Sequence, residues 1–224
     1  MYQALIFDFD GTLLDTEQHN FRCWQLTASS LGFELQEDFY RSLVGLTVED
    51  SNVLLWQEFG ADSPLEHWRE LRRQKFYELW DAGEGPDWKA GLEELLPYLK
   101  ERNIARAIAS SSRKIELENK LRRSELLEHF PVWVAGDEVA AGKPQPDVFL
   151  EAARRLKVEA HTCLVIEDSI MGVLAARRAG MDVVFVPDMI PADDQVRRDC
   201  LAVLNRLDQL VEILEGNQTN MEVP

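Results

Sequence analysis

Cysteine is scarce in this chain. Cys23, Cys163 and Cys200 are scattered through 224 residues, and an odd, widely spaced set supplies neither a disulfide framework nor a zinc pattern. They read as reduced, mostly buried thiols. Cations are also in short supply: 24 Lys and Arg stand against 40 Asp and Glu, a formal charge of −16 that repels nucleic-acid phosphates and anionic membranes. Neither is an expected partner. No window approaches the roughly eighteen uninterrupted apolar residues of a membrane helix. Met1-Tyr2-Gln3-Ala4 does not begin a basic segment followed by a cleavable apolar region, so a cytoplasmic location is expected. The sequon Asn217-Gln218-Thr219 has no meaning without a secretory route. Internal repeats and low-complexity tracts are missing too. What remains is ordinary globular usage, 46% hydrophobic and 29% charged, in a length that suits one large domain or a domain carrying an insertion.

Apolar runs at Leu5–Phe7, Ala105–Ala109, Val132–Ala135, Leu164–Ile166 and Val183–Val186 are each read as followed by polar residues and then a helical pattern. Helical spacing covers Leu92–Arg102, Lys114–Ser124, Pro146–Leu156 and Ser169–Ala179, with Ser169 placed as a cap and Gly180 as a left-handed stop. Pro97 is expected to kink or shorten the first of these. Such alternation predicts βαβ units in a parallel sheet. The interval 16–87 breaks the rhythm, since it has helical segments (Glu17–Leu31, Val48–Phe59 with Thr47 as its cap, Pro64–Trp80) and no convincing strand. It reads as an all-helical insertion, entered at Leu14-Asp15-Thr16 and left through the glycines and proline of 81–86. The predicted division is therefore 1–15 with 88–215 as an α/β unit, 16–87 as a helical unit, and 216–224 as a disordered tail.

The run Ala4–Phe7 leads straight into Asp8-Phe9-Asp10-Gly11-Thr12. Two carboxylates one residue apart at the end of a buried strand repel each other and resist desolvation. A divalent cation offsets that cost, and Mg²⁺ favours a few carboxylates together with substrate phosphate oxygens. Two further apolar runs end in useful groups, Ala109 in Ser110 and Ile166 in Glu167-Asp168, while Gly142-Lys143-Pro144 adds an ammonium. Ligands of open α/β sheets lie beyond the carboxyl ends of the strands. The set fits a phosphate held on Mg²⁺.

The segments Asp8-Phe9-Asp10-Gly11-Thr12-Leu13, Ile108-Ala109-Ser110-Ser111, Lys143-Pro144 and Ile166-Glu167-Asp168-Ser169 resemble, in order and spacing, the four motifs of the haloacid dehalogenase superfamily. The resemblance is closest to its phosphatase and β-phosphoglucomutase-like branch and covers residues 2–214. It implies a Rossmann-like α/β core with a small helical cap inserted after the first strand. It also implies a Mg²⁺-dependent phosphatase for a small phosphorylated metabolite. Asp8 would be the nucleophile and Asp10 the general acid and base. Mg²⁺ would sit on Asp8, the carbonyl of Asp10 and Asp168, with Glu167 at the ion or one water away. Thr12 would restrain the two acids of the first motif, and Ser110, Ser111 and Lys143 would hold phosphate oxygens. Three consecutive serines, Ser110 to Ser112, leave the register of that loop open. Without the metal the acids would reject a phosphate dianion, because at an effective dielectric near 20 each unit-charge pair about 4 Å apart counts for roughly 4 kcal/mol.

Departures from the family pattern narrow the reading. Where β-phosphoglucomutases carry Gly-x-x-Arg, this chain reads Gly45-Leu46-Thr47-Val48, and Asn20 replaces the mutase histidine. Both count against a mutase. Asp10 counts against dehalogenation, whose enzymes generally lack that second acid. The alternatives kept beside the phosphatase are a phosphomutase and a noncatalytic binding protein of the same fold. His19 and Asn20 in the first cap helix read equally as substrate contacts or as an ordinary helix face.

Overall fold

The computed structural model describes residues 2–44, 46 and 48–216. It divides the chain into two compact units, one formed by Met1–Leu14 and Trp88–Pro224, the other by Asp15–Asp87. Thr47, expected as a helix cap, Gly45 and the tail from 217 onward lie outside the described residues.

The first unit is a six-stranded parallel sheet. Its strands are β1 (Ala4–Phe7), β2 (Ala105–Ala109), β3 (Val132–Val134), β4 (Cys163–Glu167), β5 (Asp182–Phe185) and β6 (Ala202–Val203). They lie side by side in the order β3-β2-β1-β4-β5-β6. β1 is the central strand, with Phe7 in register with Ile108 on one side and Ile166 on the other. All four of its residues are fully buried, which explains the unbroken apolar run: helices on both sheet faces leave no strand face for water. The strand β6, of two residues at the sheet edge, is too short to leave a periodic signature and was not foreseen.

Helices α5 (Leu92–Glu101), α6 (Lys114–Arg123), α7 (Asp147–Leu156), α8 (Ile170–Arg178), α9 (Asp194–Asp199) and α10 (Leu210–Leu214) accompany the sheet. Val148, Phe149, Ala152 and Ala153 give α7 one buried face, which packs across β1, β2 and β3. Burying a side chain such as Phe149 contributes about 1.5–3 kcal/mol. Ser169 caps α8 by accepting the Gly172 N–H at 3.0 Å, and Gly180 follows the helix with φ +71°. α5 runs on through Pro97, at which a kink or an early stop was expected, and ends at Glu101. Pro97 is exposed, so the carbonyl that loses its helical donor there stays open to water.

The second unit holds α1 (Thr16–Ser30), α2 (Glu37–Leu43), α3 (Val48–Phe59) and α4 (Leu65–Asp81). Its core is aromatic: Trp68 stacks on Phe33 and meets Trp24 and Phe59 edge-on. Trp68 and Trp24 are buried here, whereas Trp56 is exposed. His19 is also interior, hydrogen-bonded through Nε2 to the Phe76 carbonyl at 3.0 Å, and its burial lowers its pKa. It is a core histidine. Asn20 instead accepts a hydrogen bond from Arg72 at 3.0 Å. No helix among the described residues is long and apolar enough to cross a membrane.

Candidate active site

The sheet changes direction of growth at β1: the chain goes from β1 to β2 and β3 on one side, then returns to β4 on the other. Carboxyl ends flanking such a reversal form a crevice. Asp8 follows β1 and its N–H binds the Ile166 carbonyl at 2.9 Å, which sets it beside Glu167 and Asp168 at the end of β4. Ser110, following β2, is 1% exposed and bonds through its N–H to Val134. Lys143 reaches the same place from the loop before α7, through a cis peptide to Pro144.

One ammonium serves two of these acids. Lys143 Nζ touches Asp8 Oδ1 and lies 2.6 Å from Glu167 Oε1, with the Phe149 ring 4.9 Å away. The other oxygen of Glu167 accepts the N–H groups of Asp168 and Ser169 and the Ser169 hydroxyl at 2.8–2.9 Å. Glu167 is fully buried and joins the lysine to the N-terminus of α8, where negative charge is favoured. In this structure Glu167 clamps Lys143 to the start of α8. Gly172 makes the clamp possible. A Cβ at that position would lie 1.7 Å from Glu167 Oε1.

Thr12 is fully buried and donates to Asp168 Oδ1 at 2.8 Å. Thr12, expected to restrain the two acids of the first motif, here hydrogen-bonds to the β4 end beyond the tight turn at Gly11, φ +84°. That turn also requires glycine for space, because a Cβ there would meet Asp168 Oδ2 at 2.2 Å and Asp188 Oδ2 at 3.1 Å. Asp188 is buried in turn and pairs with Lys89 at 2.9 Å. Neither residue belongs to an expected motif, and neither had a local signal.

Asp10 has a different set of partners. Its carboxylate receives Lys120 Nζ at 2.6 and 2.8 Å and the Ser112 hydroxyl at 2.9 Å. Among the three serines, Ser110 Oγ accepts the Ser112 N–H at 3.0 Å, Ser111 is exposed, and Ser112 is the one that meets an acid of the first motif. Lys120 was missed because a lysine in a polar helix has no signal of its own.

The electrostatic balance of the buried group is negative. Burial, with the neighbouring Glu167 charge, pushes the Asp8 carboxyl up to about 7 against the pull of Lys143. Burial and the charges of Glu167 and Asp8 raise Asp168 well above the carboxylate range. Burial opposes the Lys143 charge, yet Asp8 and Glu167 outweigh it and hold the lysine protonated. Asp8 and Glu167 thus share one ammonium, while Asp168 beside them is held by the Thr12 hydroxyl. Among the described residues no three His, Cys, Asp or Glu side chains converge as a ready cage for a metal. The donors are all oxygen and the charge excess calls for a cation.

Comparison with known proteins agrees with this geometry. Residues 5–186 match the family model described as haloacid dehalogenase-like hydrolase. A phosphorylated carbohydrates phosphatase of Thermotoga maritima is 34% identical over 187 residues, covering 82% of this chain and 84% of that protein. The beta-phosphoglucomutase of Bacillus subtilis is 34% identical over 204 residues, covering 88% and 89%. Among solved structures, a hydrolase of the same family from Deinococcus radiodurans, with phosphate and sodium bound, superposes with a TM-score of 0.82 at 25% identity, covering 96% of each chain. This chain belongs to the haloacid dehalogenase-like hydrolases.

Proposed function

We propose that the protein is a Mg²⁺-dependent phosphatase that hydrolyses a small phosphomonoester, a sugar phosphate or a phosphoglycolate-like acid, through a phosphorylated Asp8. The observation that carries this reading is that Asp8 and Glu167 pair with one ammonium, Lys143, while Asp168 at the same end of the sheet is held by the Thr12 hydroxyl. Asp8, Asp168 and the Asp10 carbonyl would hold Mg²⁺. The bound ion would supply charge neutralisation for the phosphate oxygens.

An Asp8 oxygen attacks phosphorus in line, and the bond from phosphorus to the ester oxygen breaks. The departing oxygen takes a proton from the Asp10 carboxyl. In the second half the Asp10 carboxylate removes a proton from water, whose oxygen attacks phosphorus while the Asp8 oxygen leaves. Lys143 steadies Asp8 before attack and faces phosphate oxygens afterwards. Thr12 keeps Asp168 in orientation. Ser110 and the Ser111 N–H would complete the phosphate contacts. The phosphatase name of the Thermotoga relative and the phosphate in the Deinococcus structure support this assignment. Val48 and Asn20, standing where mutases carry Arg and His, favour a phosphatase over a mutase. The region 16–87 would act as the cap of this family, its loop around residues 43–50 setting specificity.

The test is a panel of phosphorylated metabolites assayed with and without Mg²⁺, comparing wild type with Asp8→Asn. Metal-dependent release of phosphate that Asp8→Asn abolishes is expected. No turnover of any phosphomonoester with Mg²⁺ bound would overturn the assignment, and turnover only with a bisphosphate activator would favour a mutase.

A further inference from the structure

We infer that Lys120 is a positioning residue that, together with Ser112, fixes the plane and place of the Asp10 carboxylate. The inference rests on the phosphatase reading above and extends it to a residue outside the four motifs. Lys120 Nζ bridges both Asp10 oxygens, at 2.6 and 2.8 Å, and the Ser112 hydroxyl holds the second of them at 2.9 Å. The two donors are themselves 3.4 Å apart. They close a triangle that stops the carboxylate from rotating.

The framework behind this triangle is rigid. Leu117 and Leu121, one on each side of Lys120 in α6, are both fully buried. Their packing aims the lysine at the first motif. The Ser112 N–H is tied to Ser110 Oγ at 3.0 Å, which anchors the hydroxyl to the end of β2. Both side chains of the ion pair are largely shielded, Lys120 at 14% and Asp10 at 26% exposure. An exposed ion pair would contribute little geometric restraint. Proton transfer to a leaving oxygen depends on a donor held within hydrogen-bond reach, so misplacing the carboxyl by about 1 Å costs on the order of 100-fold.

The role separates from general structural support by leaving-group dependence. An alkyl ester needs a proton on its departing oxygen, whereas p-nitrophenolate leaves without one. Purified Lys120→Met, Lys120→Arg and Ser112→Ala, each checked for a wild-type unfolding transition, are assayed with Mg²⁺. The substrates are p-nitrophenyl phosphate and the alkyl phosphomonoester that wild type hydrolyses fastest in the panel. Lys120→Met is expected to lower the ratio of alkyl to p-nitrophenyl kcat/KM, which reports the first half alone, at least tenfold. Ser112→Ala, which leaves α6 untouched, is expected to lower it by a smaller factor, and Lys120→Arg to restore most of it. An unchanged ratio in both Lys120→Met and Ser112→Ala would overturn the inference while leaving the phosphatase reading intact. Failure of wild type on every phosphomonoester would remove both.

Discussion

Replacing Gly172 by alanine probes how the fold holds the lysine of the site. The added methyl would lie 1.7 Å from Glu167 Oε1, 1.8 Å from its carboxyl carbon and 2.3 Å from Oε2. The carboxylate has to leave. Its departure breaks the contact to Lys143 at 2.6 Å and the three bonds at the start of α8. Disrupting a buried, charged pair by displacing one partner costs about 3–5 kcal/mol. Alanine returns up to roughly 1 kcal/mol through its better helix propensity, leaving a net loss of about 2–4 kcal/mol. A domain stabilised by about 5–15 kcal/mol survives this in weakened form. Urea unfolding of Gly172→Ala, Glu167→Ala and the double variant measures it. The double variant is expected to be no less stable than Glu167→Ala alone, because the methyl then meets no carboxylate. A Gly172→Ala protein within about 0.5 kcal/mol of wild type, or strictly additive losses in the double variant, would refute the reasoning.

Two further outcomes follow from the same charges. Asp8, raised to about 7, and Asp168, also raised, are disfavoured as anions by the fold, so their own contribution to metal-free stability is greatest at low pH and is lost as pH rises through their folded values. Cation binding needs both ionised, so the rise in Tm caused by Mg²⁺ is expected to grow between about pH 6 and about pH 8 in differential scanning fluorimetry. An increment that shrinks over that range contradicts it. Lys89→Met removes the ammonium that pairs with the Asp188 carboxylate and is expected to cost about 3–5 kcal/mol by urea unfolding, with much of the loss recovered in Lys89→Met/Asp188→Leu.

Much of the α/β unit is legible because its strands are buried on both faces and read as apolar runs, as Ala4–Phe7 does, while α7 and α8 carry clear amphipathic or capping patterns. The edge strand Ala202–Val203 and the short helix Glu37–Leu43 are not legible, since so few residues complete no period. At the site, residues that end or directly follow strands, Asp8, Ser110, Glu167 and Asp168, are findable from where apolar runs end. Lys120, Ser112, Lys89 and Asp188 are not. Their partners lie 102 or 110 positions away for Asp10, and in another loop of the unit for Lys89, so only the folded chain brings them together. Hydrogen-bond direction is equally invisible: nothing local says that Thr12 turns to Asp168, or that Glu167 spends its oxygens on Lys143 and α8.

The central claim is that Asp8 accepts the phosphoryl group beside a divalent cation. Fluorine NMR of the protein with beryllium fluoride tests it most directly, since trifluoroberyllate bound to a carboxylate mimics the phosphorylated aspartate. The account predicts protein-bound fluorine resonances that require Mg²⁺ and vanish in Asp8→Asn. Resonances that persist in Asp8→Asn, or that form equally well without Mg²⁺, would contradict it.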